Sequence, residues 1–356
     1  MTSRVVAGRR PRQGVVALAT VLVATALTFA LPAQASLPSA LAQLQAEIAL
    51  ANSSPVLPAL TNPPLALKLP KAAFGIASMI NNCTPPTNGV VVPYCPYGDV
   101  TSSATVVLYG NSQAQSWAPA LARLGLADHF RLVPIAKPAC GTFVDTGYLD
   151  PKNRVSPICS RFVTWAVQRI NQLHPALVVV ASTPGDVLRP GTDPHQFHWA
   201  QRVPPALIVA TSPSRTARDF SQLVAALAPS GAKVVLLGPI PTIFDSFDQI
   251  HSPAACLLWS PSNVHVCSML AVTPLNSEWD RAFVRAALAS HVAFIDVNSL
   301  LCLNGLCPAV VHHVIVDFDF LHISGPYASF VAPALGELLA PYLPSAPAVS
   351  HATASL

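Results

Sequence analysis

Charge is scarce in this chain: Asp, Glu, Lys and Arg make up 10% of 356 residues, and aromatics only 7%. There is no Cys-x-x-Cys pair, no Cys/His cluster at ligand spacing and no internal repeat. The missing cysteine patterns argue against structural zinc, and the missing period against a repeat array. Excess charge of either sign is absent too, once the N-terminus is set apart. Arg4, Arg9, Arg10 and Arg12 precede an uncharged apolar run from Gly14 to Leu31, and Ala33-Gln34-Ala35 offers a small-x-small exit before Ser36. This pattern reads as a secretory signal peptide over residues 1–35. A permanent membrane anchor is the alternative, since the run approaches the ~20 residues a bilayer needs.

The leader takes four Arg and no acid, which leaves 16 basic and 16 acidic residues in the mature chain. That balance gives no basic face for nucleic acid or anionic membrane. No later segment reads as transmembrane. A secreted or cell-envelope location follows from the leader.

Eight cysteines are present, all beyond the leader. An even count in an exported chain favours disulfides. Near-neighbour pairing is expected: Cys83 with Cys95, Cys140 with Cys159, Cys256 with Cys267, and Cys302 with Cys307. Other connectivities stay open at this level.

Residues 36–82 form an Ala/Pro-rich arm or linker, with one short helix expected over Leu37–Ala51 and no long element in Ser54–Pro70. Residues 344–356 read as a disordered tail. Between them, in 83–343, short β-branched runs alternate with helical stretches. Strands are expected at Thr105–Tyr109, Arg131–Ala136, Ala176–Ala181, Lys233–Leu237 and His291–Val297. Helices are expected at Ala114–Leu126, Arg161–Leu173, Ala217–Leu227, Glu278–Ser290 and Gly325–Leu339. Alternation of this kind implies a three-layer α/β/α sandwich with a mainly parallel sheet, flavodoxin-like in arrangement and stapled by disulfides.

Chemistry in such sheets gathers at the carboxyl ends of the strands. Gly110-Asn111-Ser112-Gln113-Ala114 follows the first long strand there. Asp319 and His322 precede the last helix, in a loop that can return to the same edge. A serine hydroxyl needs a base to become a nucleophile. His322 can supply it if Asp319 fixes the second ring nitrogen. The i, i+3 spacing suits one turn at a helix entrance, and Gly110 suits a tight turn that exposes Ser112. Each part also has a plain structural reading, as a common turn or a surface ion pair.

Other candidates are weaker. Asp193, His195 and His198 can be drawn as a metal site, but they share a Pro-rich loop with no further ligand. His312 and His313 compete with His322 as bases, yet neither has an Asp at suitable spacing. Trp117 reads as core, with a sugar-stacking role as the lesser alternative. Phe318, Phe320 and Leu321 make the catalytic loop apolar, which suits packing or an acyl pocket.

Gly110-Asn-Ser-Gln-Ala114 with Trp117, and Asp319-x-x-His322-Ile-Ser, resemble the first and last motif blocks of SGNH (GDSL-type) hydrolases. The closer resemblance, from about Cys83 to Leu339, is to the SGNH domain fused to acyltransferase-3-type membrane O-acyltransferases. Its landmarks are Cys95-Pro-Tyr-Gly-Asp99, Lys137-Pro-Ala-Cys140, Cys159, Leu236-Leu-Gly-Pro-Ile-Pro241, Cys256/Cys267 and Cys302…Cys307-Pro308. The resemblance implies Ser112 as nucleophile, His322 as base and Asp319 as its orienting acid, with no metal and no cofactor. It further implies transfer or removal of an acyl ester on a cell-envelope carbohydrate or glycolipid, with a carbohydrate or water as acceptor. The acyl donor would be a soluble ester or a separate membrane protein.

The chain departs from the family pattern at four places. Asn111 stands for an acid, Gln113 for a histidine and Leu321 for a polar residue. No Gly-x-Asn-Asp block follows the third strand, where Ala181-Ser-Thr-Pro184 stands instead. Oxyanion donors are therefore sought at Ser112, Gly141 and Ser182 or Thr183. The alternative these departures raise is a catalytically degenerate glycan-binding module on the same fold.

Overall fold

The computed structural model describes residues 39–66, 69–76, 83–138, 140–142, 157–182, 213–241, 253–270, 274–319 and 322–344. The expected leader and most of the tail lie outside these residues, as do Asp193, His195, His198, Thr183, Phe320 and Leu321.

A six-stranded sheet organises the molecule. Its strands are β1 (Tyr97–Gly98), β2 (Thr105–Gly110), β3 (Arg131–Ala136), β4 (Leu177–Ala181), β5 (Lys233–Leu237) and β6 (Ala293–Ile295). The spatial order is β1-β3-β2-β4-β5-β6, with every pairing parallel except that of the edge strand β1 with β3. Because β3 and β4 flank β2 on opposite sides, the connections reverse direction at β2. A crevice at the carboxyl end of such a reversal is where doubly wound folds bind ligands.

Alternation within the strands divides the core into two layers. Val106 and Leu108 of β2 join Leu177 and Val179 of β4 in one cluster. Val107 and Tyr109 join Val178 and Val180 in the other. The first layer is covered by α1 (Ala40–Ser53), α2 (Ser112–Ala127), α7 (Gly325–Phe330) and α8 (Ala332–Leu339). The second is covered by α3 (Pro157–Leu173), α4 (Pro213–Leu227) and α6 (Pro274–Ala289). The small helix α5 (Pro253–Trp259) joins a third cluster with Leu69, Val310 and Ile315. Phe162, Ala166 and Ile170 form a buried apolar stripe on α3. Side chains the size of Phe162 and Ile170 each contribute about 1.5–3 kcal/mol by leaving water.

Two expected elements are shorter or broken, for local reasons. The strand at His291–Val297 shrinks to three residues, because His291 closes the preceding helix with φ +54° and Asp296 caps a 3-10 turn over Val297–Leu300. The last helix divides at Val331, because Pro333 starts a new first turn where its missing N–H is harmless.

Residues from Ser39 onward wrap the domain rather than trail from it. Ser39 caps α1, whose Leu44 and Ile48 enter the first core layer beside α8. Gln45 donates to the Ser299 carbonyl, and Asn52 to that of Leu306. Farther along, the Leu57 N–H donates to the Pro261 carbonyl (2.8 Å), and Val264 returns a bond to Pro55 (2.7 Å). Asn62 then bonds on both sides, to His313 and Ile315.

All four disulfides join the near neighbours: Cys83–Cys95, Cys140–Cys159, Cys256–Cys267 and Cys302–Cys307.

Candidate active site

Gly110 ends β2 between Ala136 of β3 and Ala181 of β4. A side chain at this position has nowhere to go: a Cβ would fall 1.8 Å from the Ala181 carbonyl oxygen and 2.9 Å from Ala114 Cβ. Close strand approach is therefore a further reason for glycine at this tight turn. Asn111 then caps α2 by accepting from the Gln113 N–H at 2.9 Å. An asparagine cap is as good as an aspartate one, so this departure keeps the cap. Ser112 is the first residue of the helix and remains half-exposed, while Asn111 and Gln113 are buried.

The asparagine amide can also donate, which a carboxylate cannot. Its Nδ2 donates to Ser182 Oγ at 3.3 Å, and Thr142 Oγ1 donates to the same hydroxyl at 2.6 Å. Tyr109 in turn donates its phenol to the Thr142 carbonyl at 2.8 Å. A buried polar brace thus links the ends of β3, β2 and β4 beneath Ser112. Gln113 makes a second link, with its Oε1 accepting from the Ile240 N–H at 3.0 Å just beyond β5. Of the oxyanion candidates, Ser112, Gly141 and Ser182 sit at the carboxyl ends of β2, β3 and β4, three adjacent strands.

Asp319 and His322 approach from the opposite end of the sequence. The described residues on either side of 320–321 pair as the two arms of a hairpin, not as the helical turn expected: Asp317 pairs with Ile323 in an antiparallel bridge, and Phe318 N–H donates to the His322 carbonyl at 2.8 Å. Ser324 follows as the cap of α7, accepting from Tyr327 N–H and donating to the Ile315 carbonyl at 2.6 Å. The hairpin is therefore clamped on both sides.

His322 Nδ1 lies 2.8 and 2.9 Å from the two Asp319 carboxylate oxygens, and its Nε2 lies 2.8 Å from Ser112 Oγ. With Nδ1–H donating to Asp319, the neutral ring offers Nε2 as acceptor to the serine hydroxyl. The imidazole is mostly buried, with 14% of its side chain exposed. One aromatic ring flanks it, with a second packed on the first. Phe74 meets the imidazole edge-on at 5.0 Å between centroids, and Phe318 lies 5.2 Å from Phe74. Asp317, two residues from Asp319, is fully buried, and burial together with the Asp319 charge pushes its carboxyl well above the usual range.

The competing candidates are elsewhere in the fold. His312 and His313 form the turn between Val310–Val311 and Val314–Ile315, with φ of +45° and +68°. His312 pairs with Glu47 of α1 at 3.3 Å and stacks on Phe330. Trp117 is wholly buried in the first core layer. Phe74 had no local signal, being a lone aromatic in residues 36–82. Only the fold of the arm brings it here.

No curated protein sequence matches the chain significantly. Among solved structures, the periplasmic domain of a lipopolysaccharide acetyltransferase from Salmonella ser. Paratyphi A is similar. It aligns at 13% identity and a TM-score of 0.51 over 73% of this chain and 92% of that one. An aryl esterase from M. smegmatis in its inhibitor-bound form aligns at 15% identity and a TM-score of 0.39, over 68% of this chain and 100% of that one. The family model for the SGNH domain (fused to AT3 domains) matches residues 82–337. That match spans the whole sheet and both arms of the site, and by it the chain belongs to the SGNH domain family.

Proposed function

We propose that this protein is an exported serine O-acyltransferase or esterase that works through an acyl-enzyme on esters of cell-envelope carbohydrate or glycolipid. The observation that carries the reading is the continuous hydrogen-bond chain from Asp319 through His322 to Ser112. Ser112 Oγ attacks the ester carbonyl while His322 Nε2 takes its proton, and Asp319 holds the ring and stabilises the imidazolium. The tetrahedral oxyanion forms where the carboxyl ends of β2, β3 and β4 meet the N-terminus of α2, which favours negative charge. Collapse breaks the bond to the alkoxide, which leaves with the proton from His322. A water or a sugar hydroxyl then attacks the acyl-enzyme and gives its proton to His322, which passes a proton to Ser112 Oγ as the acyl–serine bond breaks.

The family supports acyl-ester chemistry, and four closed disulfides suit an oxidising compartment. A carbohydrate acceptor and a separate membrane acyl-donor protein are extensions of that reading. The site needs no metal and no cofactor for these steps.

Incubation with a serine-directed phosphonate, read by intact mass, tests the nucleophile. One adduct on the folded protein, lost in Ser112→Ala, is the expected result. A folded protein that takes no adduct would instead be a glycan-binding module built on this fold. Transfer is separated from hydrolysis by following a chromogenic acetyl ester with and without glycan acceptors. Turnover to water alone, unchanged by any acceptor, leaves only the esterase.

A further inference from the structure

The arm that wraps the domain ends at the imidazole, and this deepens the reading of the site. Residues Lys71–Ala73 make one 3-10 turn, and Phe74 follows it directly. Gly75 then adopts φ +56°. A Cβ on Gly75 would come within 3.0 Å of the Gln115 carbonyl of α2, and one on Gly325 within 2.6 Å of the Gly75 carbonyl. Two backbones therefore meet where neither tolerates a side chain, and Gly75 is held between α2 and the start of α7, which positions Phe74 just before it. It stands 5.0 Å from the His322 ring and 5.2 Å from that of Phe318.

The base decides which half of the substrate passes this wall. In acylation His322 Nε2 must reach the leaving alkoxide oxygen, and in deacylation the attacking hydroxyl oxygen, each at hydrogen-bond distance. Whatever is attached to that oxygen emerges beside the imidazole. The carbonyl oxygen instead points at the oxyanion donors at the strand ends, and the acyl chain is a separate substituent of the same carbon. The apolar ring of Phe74 beside the base, in contact with that of Phe318, offers a flat face to the ring of an alcohol. It also excludes water from the step in which water competes with that alcohol.

We propose that Phe74, with Phe318, walls the alcohol-side subsite, so that the N-terminal arm selects the alcohol released or the acceptor taken up. The occupant by this chemistry is a ring-bearing alcohol such as a sugar, presenting an apolar face. The inference rests on the triad reading above, and its test separates the two.

The full chain and its Phe74→Ala, Phe74→Leu and Phe74→Tyr variants are assayed on acetate esters of methyl glucoside and of methanol. A propionyl ester of methyl glucoside serves as the acyl-side control. Phe74→Ala should lower kcat/KM for the glucoside acetate about tenfold, the scale of one lost apolar contact in a pocket. Methyl acetate has no ring to lose contact, so its kcat/KM should fall less, and the glucoside-to-methyl preference is the quantity read. Phosphonate labelling of Ser112 should persist. Phe74→Leu should fall between, and Phe74→Tyr should restore the preference. An unchanged alcohol preference in folded Phe74→Leu, or an altered acetyl-to-propionyl ratio in its place, overturns the inference while the labelled serine leaves the triad standing. Absence of the phosphonate adduct on wild type removes both.

Discussion

The imidazole Nε2 of His322 lies 2.8 Å from the hydroxyl of Ser112, although 210 residues separate the two in sequence. The first is held by a clamped hairpin and the second by a capped helix, so neither needs to move to share a proton. Ser112→Ala and His322→Ala should each cut kcat for an aryl ester by at least about 10⁴-fold. Asp319→Asn should cost about 10³–10⁴-fold by permitting the wrong tautomer. Far-ultraviolet circular dichroism should be unchanged in all three. Retained turnover in Ser112→Ala would place the chemistry elsewhere.

Gly110→Ala forces a methyl group onto the Ala181 carbonyl and should separate β2 from β4. A loss of about 3 kcal/mol or more is expected, because backbone cannot yield as a side-chain end can. Urea unfolding measures it, and a midpoint within error of wild type would refute the close approach.

The four bridges should differ in weight. On the chain-entropy model the Cys140–Cys159 bridge, with a separation of 19 residues, contributes about 3 kcal/mol, and Cys302–Cys307, with a separation of 5, about 2 kcal/mol. Serine pairs at each position, compared by thermal melting, test the order. The first pair should also lower kcat, because that bridge anchors the strip holding Gly141 and Thr142.

Asp317 sets a pH dependence of stability. Its buried carboxyl binds a proton more tightly when folded, so its folded pKa lies above the unfolded value near 3.8. Its contribution is complete below that value and declines as pH rises, until the folded pKa is passed. The slope is at most about 1.4 kcal/mol per pH unit. Asp317→Asn should flatten this decline and raise the melting midpoint at neutral pH relative to wild type. A variant less stable at pH 7 than at pH 4 by the same margin as wild type would contradict it.

Much of the site was legible because its chemistry is local in sequence. Ser112 follows a strand, and Asp319 and His322 are three residues apart, so residue type and position were enough to nominate them. The sheet was legible for a similar reason: runs such as Val178-Val-Val180 are buried on both faces and tolerate nothing polar. Contacts made through the arm were not legible. Phe74 has no motif around it, and its place beside His322 depends on α1, on Asn62 and on the paired backbones of Gly75 and Gly325. Backbone geometry was also hidden. Nothing in Asp-x-x-His distinguishes a hairpin from a helical turn, and Pro333 alone hardly announces where the last helix divides. The substitution of Asn111 looked like a loss, yet the amide caps α2 and joins the brace through Ser182.

The family match starts at residue 82, but the compact body starts at about residue 38. Leu44 and Ile48 of α1 belong to the same core layer as Leu108 and Trp117. Inheritance and folding thus draw different borders on this molecule. A recombinant fragment cut at the inherited border would strip α1 from α8, open greasy surface to water and leave the imidazole without one of its neighbouring rings.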